Sequence, residues 1–145
     1  MPVMISTKGR YALRFLADVA EHQGGGYVPL KDVAARQEIS EKYLEIVVKE
    51  LVRGGFLTAL RGKGGGYRLS RAPEECPVKE ILARMEGPLA PVACLEPERE
   101  ACPRRESCRT LALWQGLDRV IDGYLSRFTL ADLVKNPETA DEKRP

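Results

Sequence analysis

A glycine-rich basic run, Arg61-Gly62-Lys63-Gly64-Gly65-Gly66, sits between two short strand-prone segments at 56–60 and 67–70. Glycine tolerates the positive backbone φ that a tight hairpin tip demands. The pattern therefore predicts a two-stranded hairpin with arginine and lysine carried at its tip. A nucleotide phosphate loop needs Gly-x-x-x-x-Gly-Lys-Ser/Thr followed by a helix. Here that spacing is absent, and strand-like Tyr67-Arg68-Leu69 follows instead.

Three helices are predicted ahead of the hairpin. Residues 6–22 carry Leu13, Leu16, Val19 and Ala20 at helical spacing, with Ala12 and Phe15 beside them and Ser6 or Thr7 as cap. Gly24-Gly25-Gly26 ends that helix, and Tyr27-Val28 is long enough only for a very short strand. Pro29 suits the first turn of a second helix running to about Gln37, with a turn at Ile39-Ser40. Ser40 then caps a third helix that ends at Gly54-Gly55. Leu44, Val47, Val48 and Leu51 form its apolar stripe and must pack inward. Ser40, Glu41, Lys42, Tyr43, Glu45 and Ile46 are left near its N-terminal end to face a partner.

Helix, short helix, turn, helix and basic hairpin are the order of a winged helix-turn-helix. One helix of such a unit enters the DNA major groove, where base edges are distinguishable. Arg61 and Lys63 on the wing are placed to reach phosphates or the minor groove. Farther along, residues 77–86 form a helix stopped by Gly87-Pro88, and 88–105 read as irregular. A long helix is predicted over 107–128, with Leu111, Trp114, Leu117, Ile121, Tyr124, Leu125 and Phe128 as its stripe. Residues 129–134 add a short helix capped by Thr129. The expected fold is mainly α, a winged helix-turn-helix with a two-stranded β wing and a long C-terminal dimerisation helix. Three parts are expected: a DNA-binding domain at 1–75, a cysteine loop with dimerisation helix at 76–136, and a disordered tail at 137–145.

Charge supports a polyanionic partner only locally. The chain of 145 residues has a formal net charge of +2. Residues 1–75 hold 12 basic and 9 acidic side chains, whereas 76–145 hold 11 and 12. From Arg61 to Arg71 there are four basic residues and no acid, a patch suited to DNA although a solvated surface has the same composition. No apolar run approaches the length of a membrane span, and Met1 to Lys8 lack a signal-peptide core. A cytoplasmic protein is the expectation.

Of four cysteines, Cys94, Cys102 and Cys108 fall in one segment, spaced Cys-x7-Cys-x5-Cys. A loop with such gaps can wrap three thiolates around one centre, and thiolates are the usual ligands of iron–sulfur clusters. Structural zinc sites prefer ligand pairs two to four residues apart. Plain redox-active or structural thiols are the other reading. Cys76, before Pro77, reads as a small side chain near a cap, and His22 as a helix-end cation rather than a ligand.

Ser6-Thr7-Lys8-Gly9-Arg10-Tyr11-Ala12, Ile39-Ser40 with Tyr43-Leu44-Glu45, and Arg61-Gly62 with Gly64-Gly65-Gly66-Tyr67 resemble the Rrf2 family of bacterial regulators. Cys108-Arg109-Thr110-Leu111-Ala112-Leu113-Trp114 and Thr129-Leu130-Ala131-Asp132-Leu133-Val134 extend the resemblance across roughly residues 4–136. It implies a homodimeric transcription factor on a pseudo-palindromic double-stranded DNA operator, with contacts from Ser40, Tyr43, Glu45 and Arg61. It also implies a two-iron or four-iron cluster on Cys94, Cys102 and Cys108, as in the IscR-, NsrR- and RirA-type members; the long first gap is most like the last. Two departures matter. Leu111 stands where IscR-type members carry a ligand histidine, and Tyr11 where some NsrR-type members use an acid from the other subunit. Glu96, Glu98, Glu100, Glu106, Cys76, a small thiol or water remain for a fourth ligand.

A single histidine, no nucleophile–base signature and no nucleotide motif argue against an enzyme. The alternative within the same fold is a cluster-free regulator that responds to thiol oxidation or a protein partner.

Overall fold

The computed structural model describes residues 5–96, 100 and 102–135. Helix α1 (Thr7–His22) starts where Ser6 Oγ accepts from Lys8 N–H, as its cap position predicts. Helix α2 (Leu30–Gln37) follows Pro29, and α3 (Glu41–Arg53) starts behind Ser40. The turn between α2 and α3 is tighter than Ile39-Ser40 alone implies. Glu38 takes a left-handed conformation (φ 55°), and Ile39 N–H bonds back to Ala34 O at 3.1 Å. That geometry buries Ile39 and fixes the angle between the two helices.

Strands β1 (Leu57–Leu60) and β2 (Gly66–Leu69) pair antiparallel, with Leu57 opposite Leu69 and Leu60 opposite Gly66. Val28 forms a single antiparallel bridge to Tyr67, the whole of the short strand anticipated at Tyr27-Val28. Gly66 is required there: a Cβ would collide with the Val28 carbonyl. Helix α4 (Val78–Glu86) lies against α1, and α6 (Leu130–Lys135) packs on α1 as well.

One core joins these elements. Ala12, Phe15, Leu16 and Val19 of α1 meet Leu44, Val47, Val48 and Leu51 of α3, with Val33, Phe56, Leu57, Ile81 and Leu130 around them. Cys76 is fully buried in this core, and its thiol donates to Ala72 O at 3.4 Å. The core thus draws on residues from both sides of position 75.

The long C-terminal helix differs from its sequence pattern. Helix α5 (Leu111–Leu125) begins four residues later than expected and stops before Phe128. Ser126 N–H and Arg127 N–H close its last turn, and Phe128 turns inward onto Val78 and Leu82. Phe128 is therefore a core residue and not part of an outer stripe. None of the α5 residues is buried, and Leu113, Leu117 and Val120 are openly exposed. The expected tail at 137–145 lies outside the described residues.

A charged network locks α1 to α2. Asp18 is only 2% exposed and accepts from Arg36 Nη2 at 2.6 Å, Arg36 Nε at 3.1 Å and Gln37 Nε2 at 2.9 Å. Arg14 donates to Gln37 from the next turn of α1, and His22 Nδ1 stands 3.4 Å from Asp18. Burial opposes ionisation of Asp18, but hydrogen bonds from Arg36 and Gln37, with the charges of Arg36 and His22, outweigh it and lower its pKa. A lowered carboxylate stabilises the fold fully above its unfolded value, near 3.8, and less as pH falls through the folded value. Asp18→Asn is expected to cost roughly 1–3 kcal/mol near neutral pH, a difference that shrinks as pH falls through the lowered folded pKa of Asp18. Urea unfolding across pH measures this; a constant difference at every pH contradicts it.

Candidate functional site

Helix α3 leaves its polar N-terminal residues exposed because its other side is committed to the core. Ser40 Oγ accepts from Tyr43 N–H at 3.1 Å, which starts the helix cleanly. Glu41, Lys42, Glu45 and Lys49 are exposed, and Ile46 is 54% exposed. Tyr43 is half-buried, because its ring packs edge-on against Tyr11 of α1 at 5.4 Å. Arg14 lies over the other ring of that pair, 5.3 Å from the Tyr11 centroid.

The wing stands beside this helix. A groove runs between them, lined by Glu45, Lys49 and Arg53 of α3 and by Leu60, Arg61 and Tyr67 of the hairpin. Arg61 and Lys63 are exposed at the tip, where Gly62 (φ 93°) and Gly64 (φ 76°) turn the chain. The acid-free stretch from Arg61 to Arg71 is not uniformly available. Arg71 pairs with Glu80 at 3.1 Å and covers the Phe56 ring, and Arg68 lies over Tyr27 at 5.0 Å. The structure therefore concentrates the freely presented wing charge at Arg61 and Lys63. The sequence singled out Arg61 and Lys63 by their place on the hairpin, but the partner of Arg71 was not legible in it, because Glu80 lies nine residues farther on, on a different element.

The cysteine segment is open. Cys94 lies on a 3-10 turn (Ala93–Leu95) and is half-buried, while Cys102 and Cys108 are exposed. Among the described residues, no three His, Cys, Asp or Glu side chains gather as a metal site. As donors the three thiols still suit a cluster, being soft ligands on a segment that remains accessible. Cys108 sits just before α5, 3.3 Å from the Thr110 hydroxyl. Hydrogen bonds from the Thr110 side chain, from its N–H and from Leu111 N–H hold the Cys108 thiol below the usual range. Burial pushes the Cys76 thiol up, and its enclosure removes it from the candidate ligands. Glu98 lies outside the described residues; Glu96, Glu100 and Glu106 are exposed.

Residues 5–136 match the Rrf2 family, described as iron-dependent transcriptional regulators. The chain belongs to the Rrf2 family. It is 39% identical over 132 residues to the protein rrf2 of Nitratidesulfovibrio vulgaris, covering 91% of this chain and 87% of that one. It is likewise 39% identical over 137 residues to the transcriptional regulator IscR of Photorhabdus laumondii, covering 94% and 82%. Among solved structures, CymR, the global cysteine regulator of B. subtilis, superposes with a TM-score of 0.74 at 35% identity, over 92% of this chain and 97% of that one. IscR of T. potens gives 0.71 at 34% identity, over 97% and 90%. The winged helix-turn-helix read from the sequence is the fold of this family, whose members are DNA-binding transcriptional regulators and not enzymes. No helix among the described residues is long and apolar enough to cross a membrane.

Thiol chemistry separates the exposed cysteines from the buried one. Alkylation at pH 7.5, followed by mass spectrometry, is expected to modify Cys108 first and Cys76 only on unfolding. Early labelling of Cys76 in the folded protein contradicts this placement.

Proposed function

We propose that the chain is a cytoplasmic, homodimeric DNA-binding regulator that senses iron–sulfur status, nitric oxide or redox state through Cys94, Cys102 and Cys108. The observation that carries the DNA-binding part is the shared groove of α3 and wing, with free cations at its tip and the helix start exposed. In this reading the N-terminal turns of α3 enter the major groove. Ser40 and Lys42 meet the backbone there, and Glu41, Tyr43 and Glu45 meet base edges. Arg61 and Lys63 reach the flanking backbone or minor groove.

The dimer rests on α5. Leu113, Leu117 and Val120 follow one helical stripe, 62%, 41% and 60% exposed, and Ile5, Ile121 and Tyr124 continue it as an apolar depression. A surface of that kind on a small chain is where a second copy would pack. Two copies related by a two-fold axis would present two α3 helices to the halves of a pseudo-palindromic operator.

The cofactor in this reading is an iron–sulfur cluster held by Cys94, Cys102 and Cys108, in keeping with the family's iron dependence. When bound, such a cluster supplies redox and nitric-oxide reactivity. The chain's own part is to gather a segment that opens directly into α5, so that ligation would fix the start of the dimer helix and shift the pose of the two reading heads. The second reading is a cluster-free thiol regulator. Its support is the exposure of Cys102 and Cys108 and the likeness to CymR, also solved in an oxidised form from Staphylococcus aureus.

Operator binding is expected to weaken steeply with added salt, and Arg61→Ala to reduce affinity about tenfold with a shallower salt slope and an unchanged fold. Binding assays on an operator selected from random DNA read both effects; equal affinity in the variant contradicts the footprint. Protein purified without oxygen is expected to be coloured, with iron and sulfide that Cys94→Ala largely removes. Colourless, metal-free protein whose DNA affinity responds to thiol oxidation would favour the second reading.

A further inference from the structure

A single carboxylate holds the first turn of α1, and it comes from the far end of α4. Glu86 Oε1 accepts from Ser6 N–H at 3.0 Å, from Ser6 Oγ at 2.6 Å and from Gly9 N–H at 2.9 Å. The free N–H groups at a helix start, and the dipole behind them, favour a negative charge there. Gly9 is buried and leaves the space for it: a Cβ at this position would collide with Glu86 Oε1 and crowd Leu82. The capped turn leads within two residues to Tyr11, whose ring meets Tyr43 edge-on at 5.4 Å. Arg14 fixes that ring from above and donates to Gln37, next to the α2–α3 turn.

Glu86 is also the last residue of α4, and Gly87 (φ 81°) and Pro88 open the segment that carries Cys94. Helix α4 also packs directly on α3, with Ile81 and Met85 in the shared core and Arg84 Nη2 3.4 Å from Glu50 near the C-terminal end of α3. We propose that Glu86 is a positioning residue for DNA recognition: it sets the first turn of α1, and Tyr11 passes that pose to Tyr43 on α3. The inference deepens the reading of this chain as a DNA-binding regulator and rests on it.

Glu86→Gln keeps the size of the side chain and one acceptor oxygen but removes the charge. The amide resonances of Tyr43 and Leu44 are expected to shift together with those of Ser6 and Gly9. Operator affinity is expected to fall about fivefold to tenfold at temperatures well below unfolding. In a Tyr11→Ala background the same substitution is expected to change affinity less than twofold, because the route has already been cut. Gly9→Ala, which displaces Glu86 from its seat, should reproduce the shifts and covers the case of a poorly folded Glu86 variant. Shifts confined to residues 5–10, or equal loss of affinity with and without Tyr11, would overturn the proposal. The resonance measurement needs no DNA. A wild-type chain that selected no operator would thus count against the proposed function, while the shift pattern still decides the role of Glu86.

Discussion

The packing of Leu44, Val47, Val48 and Leu51 against Phe15, Leu16 and Val19 determines which face of α3 remains for a partner. These residues are essentially excluded from solvent, and each aliphatic side chain so buried contributes roughly 1.5–3 kcal/mol relative to exposure. Rotating the helix to hide Glu41, Lys42 or Glu45 would strand charges in that interior at greater cost. The exposed face of α3 is therefore the remainder left by an apolar commitment. The wing follows from the same packing: Phe56 and Leu57 anchor its first strand in the core, and the Val28–Tyr67 bridge ties its second.

Around this packed core the protein uses polar ties between segments distant in sequence. Asp18 joins α1 to the end of α2, and Glu86 joins α4 to the start of α1. Both are carboxylates satisfied by several donors, which offsets the cost of enclosing them. Their effect is to make α1 a rigid spine touched by the elements that precede α3 and by the one that precedes the cysteine segment. Helix α5 has few such ties. It contacts α4, partly through the ion pair between Lys79 and Asp122, and leaves a broad apolar stripe uncovered.

Much of this architecture was legible in the sequence because its signals are local. Ser40 as a cap, the stripe of α3, the glycine hairpin and Pro29 at a helix start each act within a few residues of themselves. What escaped depends on partners far along the chain. Phe128 continues a helical spacing, yet it leaves α5 because Val78 and Leu82 offer it a pocket. Arg71 belongs to the same acid-free run as Arg61 and Lys63, and its pairing with Glu80 and stacking on Phe56 depend on elements outside that run. Glu38 adopts a left-handed conformation with no glycine to announce it, paid for by the burial of Ile39.

Hydroxyl-radical footprinting of the wild-type chain on a selected operator is the most direct test of the central claim, that α3 and the wing of each copy read one half-site together. Two protected tracts are expected, related by a two-fold axis and centred about one helical turn or a multiple of it apart. Each should carry a flanking protection that Arg61→Ala removes while the central protection stays. A single unbroken tract without symmetry, or a footprint that Arg61→Ala leaves untouched, would contradict the account.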